Sequence, residues 1–225
     1  MLNCLFAIFR KDMRIAFSHG AGVIQALLLG LLLIFLFSLS MNAGDRLGPQ
    51  AASAVFWLAS AFCQVLIFNM LYAAEEQEKA GTGLLLLPAP VQAIWLGKSL
   101  AGMLVLLVAQ SMLIPAVFVF LGQSLGEGWP CALGAILLCD LGMAASGSLL
   151  GALSAGQSGR ESLLSIVLFP MLIPLLLAGV KLVSLGLDAD AAADAARWLG
   201  IATAFDCMFL ASGLLLFPFV CNGED

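Results

Sequence analysis

Apolar residues run in long, nearly uncharged stretches broken by short polar linkers, and run length alone predicts the architecture. Six stretches stand out: about Ala21 to Met41, Ala51 to Tyr72, Ser99 to Leu121, Pro130 to Leu153, Ser162 to Gly186 and Ala196 to Val220. A helix of ~20 apolar residues, rising ~1.5 Å per residue, crosses a ~30 Å hydrocarbon core. Inside that core no water bonds the backbone, so each stretch must satisfy its own N–H and C=O groups as a helix. The expectation is an all-α membrane protein with six transmembrane helices.

A different period marks the start of the chain. Leu2, Phe6, Phe9, Met13 and Phe17 recur at spacings of three and four, while Arg10, Lys11 and Arg14 fall largely on the other side. This pattern suits an amphipathic helix in the membrane interface, aromatic residues down and cations towards anionic headgroups. A plain cytoplasmic flank is the alternative. Residues 1–19 are therefore read as an interfacial helix and 20–225 as the six-span domain.

Between the second and third stretches the pattern breaks. Residues 73–98 open with Glu75, Glu76 and Glu78, continue through Gly81 and Gly83 to four leucines, then Pro88-Ala89-Pro90, a second apolar tract and Lys98. Neither tract is long enough to span. A connection this long usually has a task. The expectation is a cytoplasmic helix that packs on a partner protein, with a re-entrant or surface-lying loop as the alternative.

Composition sharpens the class. Charged residues are 10% of 225 and hydrophobic ones 62%, against about 25% charged in a soluble domain. No soluble catalytic domain fits. The sparse cations exclude a nucleic-acid surface but orient the chain. With the N-terminus inside, the inner segments carry Arg10, Lys11, Arg14, Lys79, Lys98 and Arg160, and the outer loops only Arg46 and Arg197; Lys181 lies near the outer end of the fifth stretch, within reach of the interface by snorkelling. The positive-inside rule then places both termini in the cytoplasm. No cleavable signal peptide is expected.

Enzymatic chemistry is poorly supplied. The six cysteines form no CxxC pair, and His19 is the sole histidine, which removes zinc and Ser-His-Asp readings. Leu96-Gly97-Lys98-Ser99 imitates the end of a phosphate loop, but Gln92 stands where its first glycine belongs. Nucleotide hydrolysis by this chain is not expected. Asp140 and Asp206 fall mid-span, where a carboxylate costs at least ~2.5 kcal/mol on insertion scales. A proton or substrate path and a plain interhelical contact both remain open; Gln64 and Asn69 carry the same ambiguity. Gly147 and Gly151 form a small-xxx-small surface for close helix packing. Pro170 and Pro174, one turn apart, predict a kink or local unwinding in the fifth span.

The order of parts resembles the membrane subunit of an ABC-2-type exporter, and three stretches resemble the haem exporter protein B (CcmB) family of cytochrome c maturation. Phe9-Arg10-Lys11-Asp12-Met13-Arg14-Ile15-Ala16-Phe17 is similar to the family's FRxExRxAF start, with Asp12 for Glu. Leu86 to Pro90, with Lys98 following, resembles its LLPAP loop, and Leu163-Leu164-Ser165-Ile166 with Pro170 and Pro174 its LLSIxxxPxxIP span. The chain departs at Thr82-Gly83, where the family usually has Glu-Gln. The resemblance implies a non-enzymatic permease subunit in the bacterial inner membrane. A separate ATPase, CcmA, would dock on the loop of Glu75, Glu76, Glu78, Gly81, Pro88, Pro90 and Lys98. CcmC and CcmD would sit alongside, and the haem-loaded chaperone CcmE would be released in an ATP-dependent step. ATP would thus act through the partner, haem would be handled by the complex, and no cofactor would be bound here directly. The four tryptophans are scattered, which favours mechanical coupling over a haem site. A permease for a lipid, polysaccharide or drug, and a passive scaffold for haem-handling partners, are the rivals.

Overall fold

The computed structural model describes residues 2–18, 20–41, 47–77, 90–126, 128–154, 160–187 and 195–222. They form seven helices: α1 (Leu2–Ser18), α2 (Ala21–Leu39), α3 (Pro49–Gln77), α4 (Val91–Phe120), α5 (Trp129–Ser154), α6 (Arg160–Leu187) and α7 (Ala195–Asn222). The last six are each long and apolar enough to cross a membrane.

Local signals explain the helix starts. Pro49 opens α3, where its missing N–H costs nothing, and Ala52 N–H closes the first turn on Gly48 O at 3.0 Å. Pro90 caps α4 in an extended conformation, and Ala93 N–H bonds its carbonyl at 2.8 Å. The chain therefore enters α4 at Val91. The tract up to Lys98, read from sequence as part of the loop, is the first two turns of the third long helix. α3 likewise continues past Tyr72 to Gln77, carrying Glu75 and Glu76 in its last turn. Glu78, Gly81 and Pro88, and with them any separate coupling helix, lie outside the described residues, as does His19.

α6 runs unbroken through Pro170 and Pro174. No unwound stretch separates them, although each proline removes the donor that would have bonded the carbonyl four residues earlier. Pro115 in α4 and Pro218 in α7 are accommodated in the same way.

Burial ranks the helices. α3 and α5 are the most enclosed, and α2 and α7 the most outward. Exposed Ile24, Leu28, Leu32 and Leu36 show α2's outer face. Lipid is as apolar as leucine, so helix association rests on close packing. Notches provide it: the Phe68 ring lies against Gly102 and Gly147, Tyr72 against Gly151, Trp57 against Gly179 and Trp95 against Gly213.

The bundle has two distinct ends. At one, α1 lies on the first turns of α4, with Gly97 touching Ile8 and the Leu5 carbonyl. The Trp95–Gly213 contact brings the C-terminal half of α7 to that end too. At the other, Gln123 donates to Leu47 O at 2.7 Å, Ser38 to Phe120 O at 2.8 Å, and Lys181 to Gln50 at 3.0 Å.

Candidate functional site

The α1 end holds a buried charged cluster. Ile8, Asp12 and Ala16 follow one another at a spacing of four and form the buried face of α1. Arg10 and Arg14 stay exposed, as do Phe6 and Phe17. The aromatic stripe read from sequence is thus partly outward, and the face that docks carries an acid. Asp12 is 1% exposed. Its carboxylate lies 3.1 Å from Lys11 Nζ and 3.7 Å from Lys98 Nζ. Lys98 is itself 1% exposed. Its ammonium also sits 4.4 Å from the centre of the Tyr72 ring, within cation–π range. The Tyr72 hydroxyl meets Ser148 Oγ at 2.9 Å. Four helices, α1, α3, α4 and α5, converge on this point. Removing one partner of such a pair typically costs about 3–5 kcal/mol, because the other charge stays buried. Lys98, the lysine of the phosphate-loop imitation, is therefore occupied by a carboxylate.

A second polar group lies deeper in the bundle. Gln110 donates to Asp140 Oδ1 at 2.8 Å and to Ser60 at 3.2 Å. Gln64 donates to the Met143 carbonyl at 2.6 Å. Asp206 is buried with its carboxyl against Gly142. Asp140 and Asp206 both lie on the faces α5 and α7 turn to the bundle interior, Asp140 within a network joining α3, α4 and α5. Cys63 behaves as a small buried residue, its thiol 3.1 Å from Ala26 O.

A cavity of about 220 Å³ opens at the opposite end, between α3, α4, α5 and α6, lined by Phe56, Ile114, Trp129, Ile136 and Val183 among others. Its walls are apolar, so it offers no directed chemistry. Among the described residues, no three His, Cys, Asp or Glu side chains gather as a metal site would require.

Of the residues singled out from sequence, Lys98 and Lys11 meet at Asp12, while Pro170 lies on an outward face and Pro174 is half-buried. Pro90 is exposed as the cap of α4. Sequence reasoning missed Asp12, Tyr72, Ser148, Ser60 and Gln110 as members of these clusters. Asp12 had one signal: it breaks an otherwise apolar row, Ile8 to Ala16. Its partner is far along the chain, which no local pattern reveals.

Comparison with known proteins is consistent across the chain. The family model described as CcmB protein matches residues 3–222. A heme exporter protein B from Escherichia coli (strain K12) is 33% identical over 94 residues, 42% of this chain and 43% of that one. Those from Haemophilus influenzae and Pseudomonas aeruginosa are 26% identical over 170 residues, 76% of each chain, and 23% identical over 204, 91% of each. The chain thus aligns with less than half the length of the Escherichia coli relative and with most of the other two.

Proposed function

The chain belongs to the CcmB family, and from that membership we propose that it is the membrane subunit of an ABC transporter complex in cytochrome c maturation. The observation that carries the reading is the family match over residues 3–222, which takes in α1 and all six long helices. The relatives named heme exporter protein B point the same way.

On this reading the chain is no enzyme. A separate ATPase subunit supplies the free energy by binding one arrangement of the helices more tightly than another. It acts at the α1 end, on the 73–98 segment, whose two stems are the end of α3 and the start of α4. Glu75 and Glu76 on one stem and Glu78, Gly81, Pro88 and Pro90 beyond it form the contact. The chain lies in the bacterial inner membrane with the α1 end and both termini cytoplasmic, as the cation count favours. CcmC and CcmD are its membrane neighbours, and the haem-loaded chaperone CcmE is released when ATP is hydrolysed. Haem is handled as cargo by the assembly.

Deleting the gene tests this. Covalent c-type cytochromes should be lost and haem should accumulate on the chaperone. Normal cytochromes in the deletion strain would remove the assignment.

A further inference from the structure

We propose that Asp12 and Lys98 are a positioning pair, a buried ionic clasp that fixes α1 to the two stems of the 78–89 segment. A helix held only by the interface needs an apolar face and an outward cationic face. α1 carries Phe6, Phe17, Arg10 and Arg14 together on its exposed side, yet it turns the opposite face inward with a charge at its centre. That charge meets Lys98, which α4 carries two turns after its start, and the same ammonium rests on Tyr72, which α3 carries just before its end. Tyr72 and Lys98 therefore bracket the segment between α3 and α4. Gly97 lets the α1 backbone approach; a Cβ there would stand 3.1 Å from Ile8 Cβ and from the Leu5 carbonyl oxygen. Close approach, matched charge and burial fall at one place.

The clasp does two things that lipid adsorption does not. It sets the rotation of α1, because Asp12 must face Lys98. It also joins α1 to both stems at once, so α1 cannot lift without uncovering a lysine and an aspartate together. This holds for the chain alone, whatever its role in the cell, so its failure is separate from failure of the proposed function.

The experiment is hydrogen exchange of the full chain in lipid nanodiscs, followed for the amides of 2–18, with α5 as the internal reference. Asp12→Asn should speed exchange in α1 by at least about tenfold, since it takes the carboxylate from the buried Lys98 ammonium. Lys98→Met, which leaves Asp12 with Lys11 3.1 Å away, should speed it by less. Asp12→Glu keeps the charge and should stay within about threefold of the original chain. The double variant D12N/K98M should exchange more slowly than Asp12→Asn, because it no longer buries the Lys98 ammonium beside an amide. Unchanged α1 exchange in Asp12→Asn, with α5 protected, would overturn the proposal. So would a double variant whose effect equals the product of the two singles. If Asp12→Asn fails to fold, a folded double variant with α5 protected supports the clasp, and a double variant that also fails while D12E folds overturns it.

Discussion

Phe68 shows which force dominates at the centre of the bundle. Its ring fills the notch between Gly102 and Gly147, and a Cβ on Gly147 would stand 2.6 Å from ring carbon Cδ2. Truncating a buried phenylalanine costs about 3–5 kcal/mol and overpacking about 1–3 kcal/mol, whereas an interhelical hydrogen bond in a membrane averages only about 0.6 kcal/mol. Packing should therefore outweigh the polar network. Gly147→Val is expected to destabilise the chain by about 2–3 kcal/mol and Gln110→Leu by about 1 kcal/mol, both read by detergent-titrated unfolding. The reverse order would mean that the Gln110–Asp140–Ser60 group holds the bundle. Asp140→Asn keeps the oxygen that Gln110 bonds, so it should retain both stability and cytochrome c maturation. Loss of maturation from a stable Asp140→Asn protein would show that the carboxyl does more than pack.

At the scale of elements, the six long helices were legible because run length and the absence of mid-span charge leave lipid no other solution. Their ends were less so. Lys98 looked like a loop residue because an isolated lysine is costly in a span; the structure removes that cost with Asp12, a partner 86 positions away in the chain (98 − 12). α1 was legible as amphipathic, but its docking face was not, since a row of Ile8, Asp12 and Ala16 reads as interrupted until Lys98 is placed beside it. In α6, Pro170 lies on an exposed face, so no neighbour depends on its ring. Pro170→Ala should stabilise the helix by about 1 kcal/mol by returning a donor to the Ile166 carbonyl, part of the several kcal/mol a mid-helix proline costs in water. No gain in unfolding free energy would indicate that this carbonyl already has another partner.

At the scale of the molecule, the ranking of helices inverts the rule for soluble proteins. α2, dense in leucine and phenylalanine, faces outward, while α5, with its glycine, alanine and serine, and α3, whose alanines and serines are interspersed with buried Phe56, Trp57 and Phe68, are enclosed. Small residues permit the close approach on which membrane packing depends. The Gly147–Gly151 surface carried that signal in the sequence, but its partners, Phe68 and Tyr72, did not announce themselves. An even number of spans puts both termini at one end, and the contacts of α1 with α4 and of Trp95 with Gly213 agree. That end also bears both stems of the segment proposed to receive the ATPase. Site-specific photocrosslinking in cells tests this claim most directly, with a benzophenone amino acid at Gly81 in that segment or at Gln123 at the opposite end. The account predicts an adduct with the ATPase subunit from position 81 and none from 123. An adduct from 123, or none from 81 in a strain that still matures its cytochromes, would contradict it.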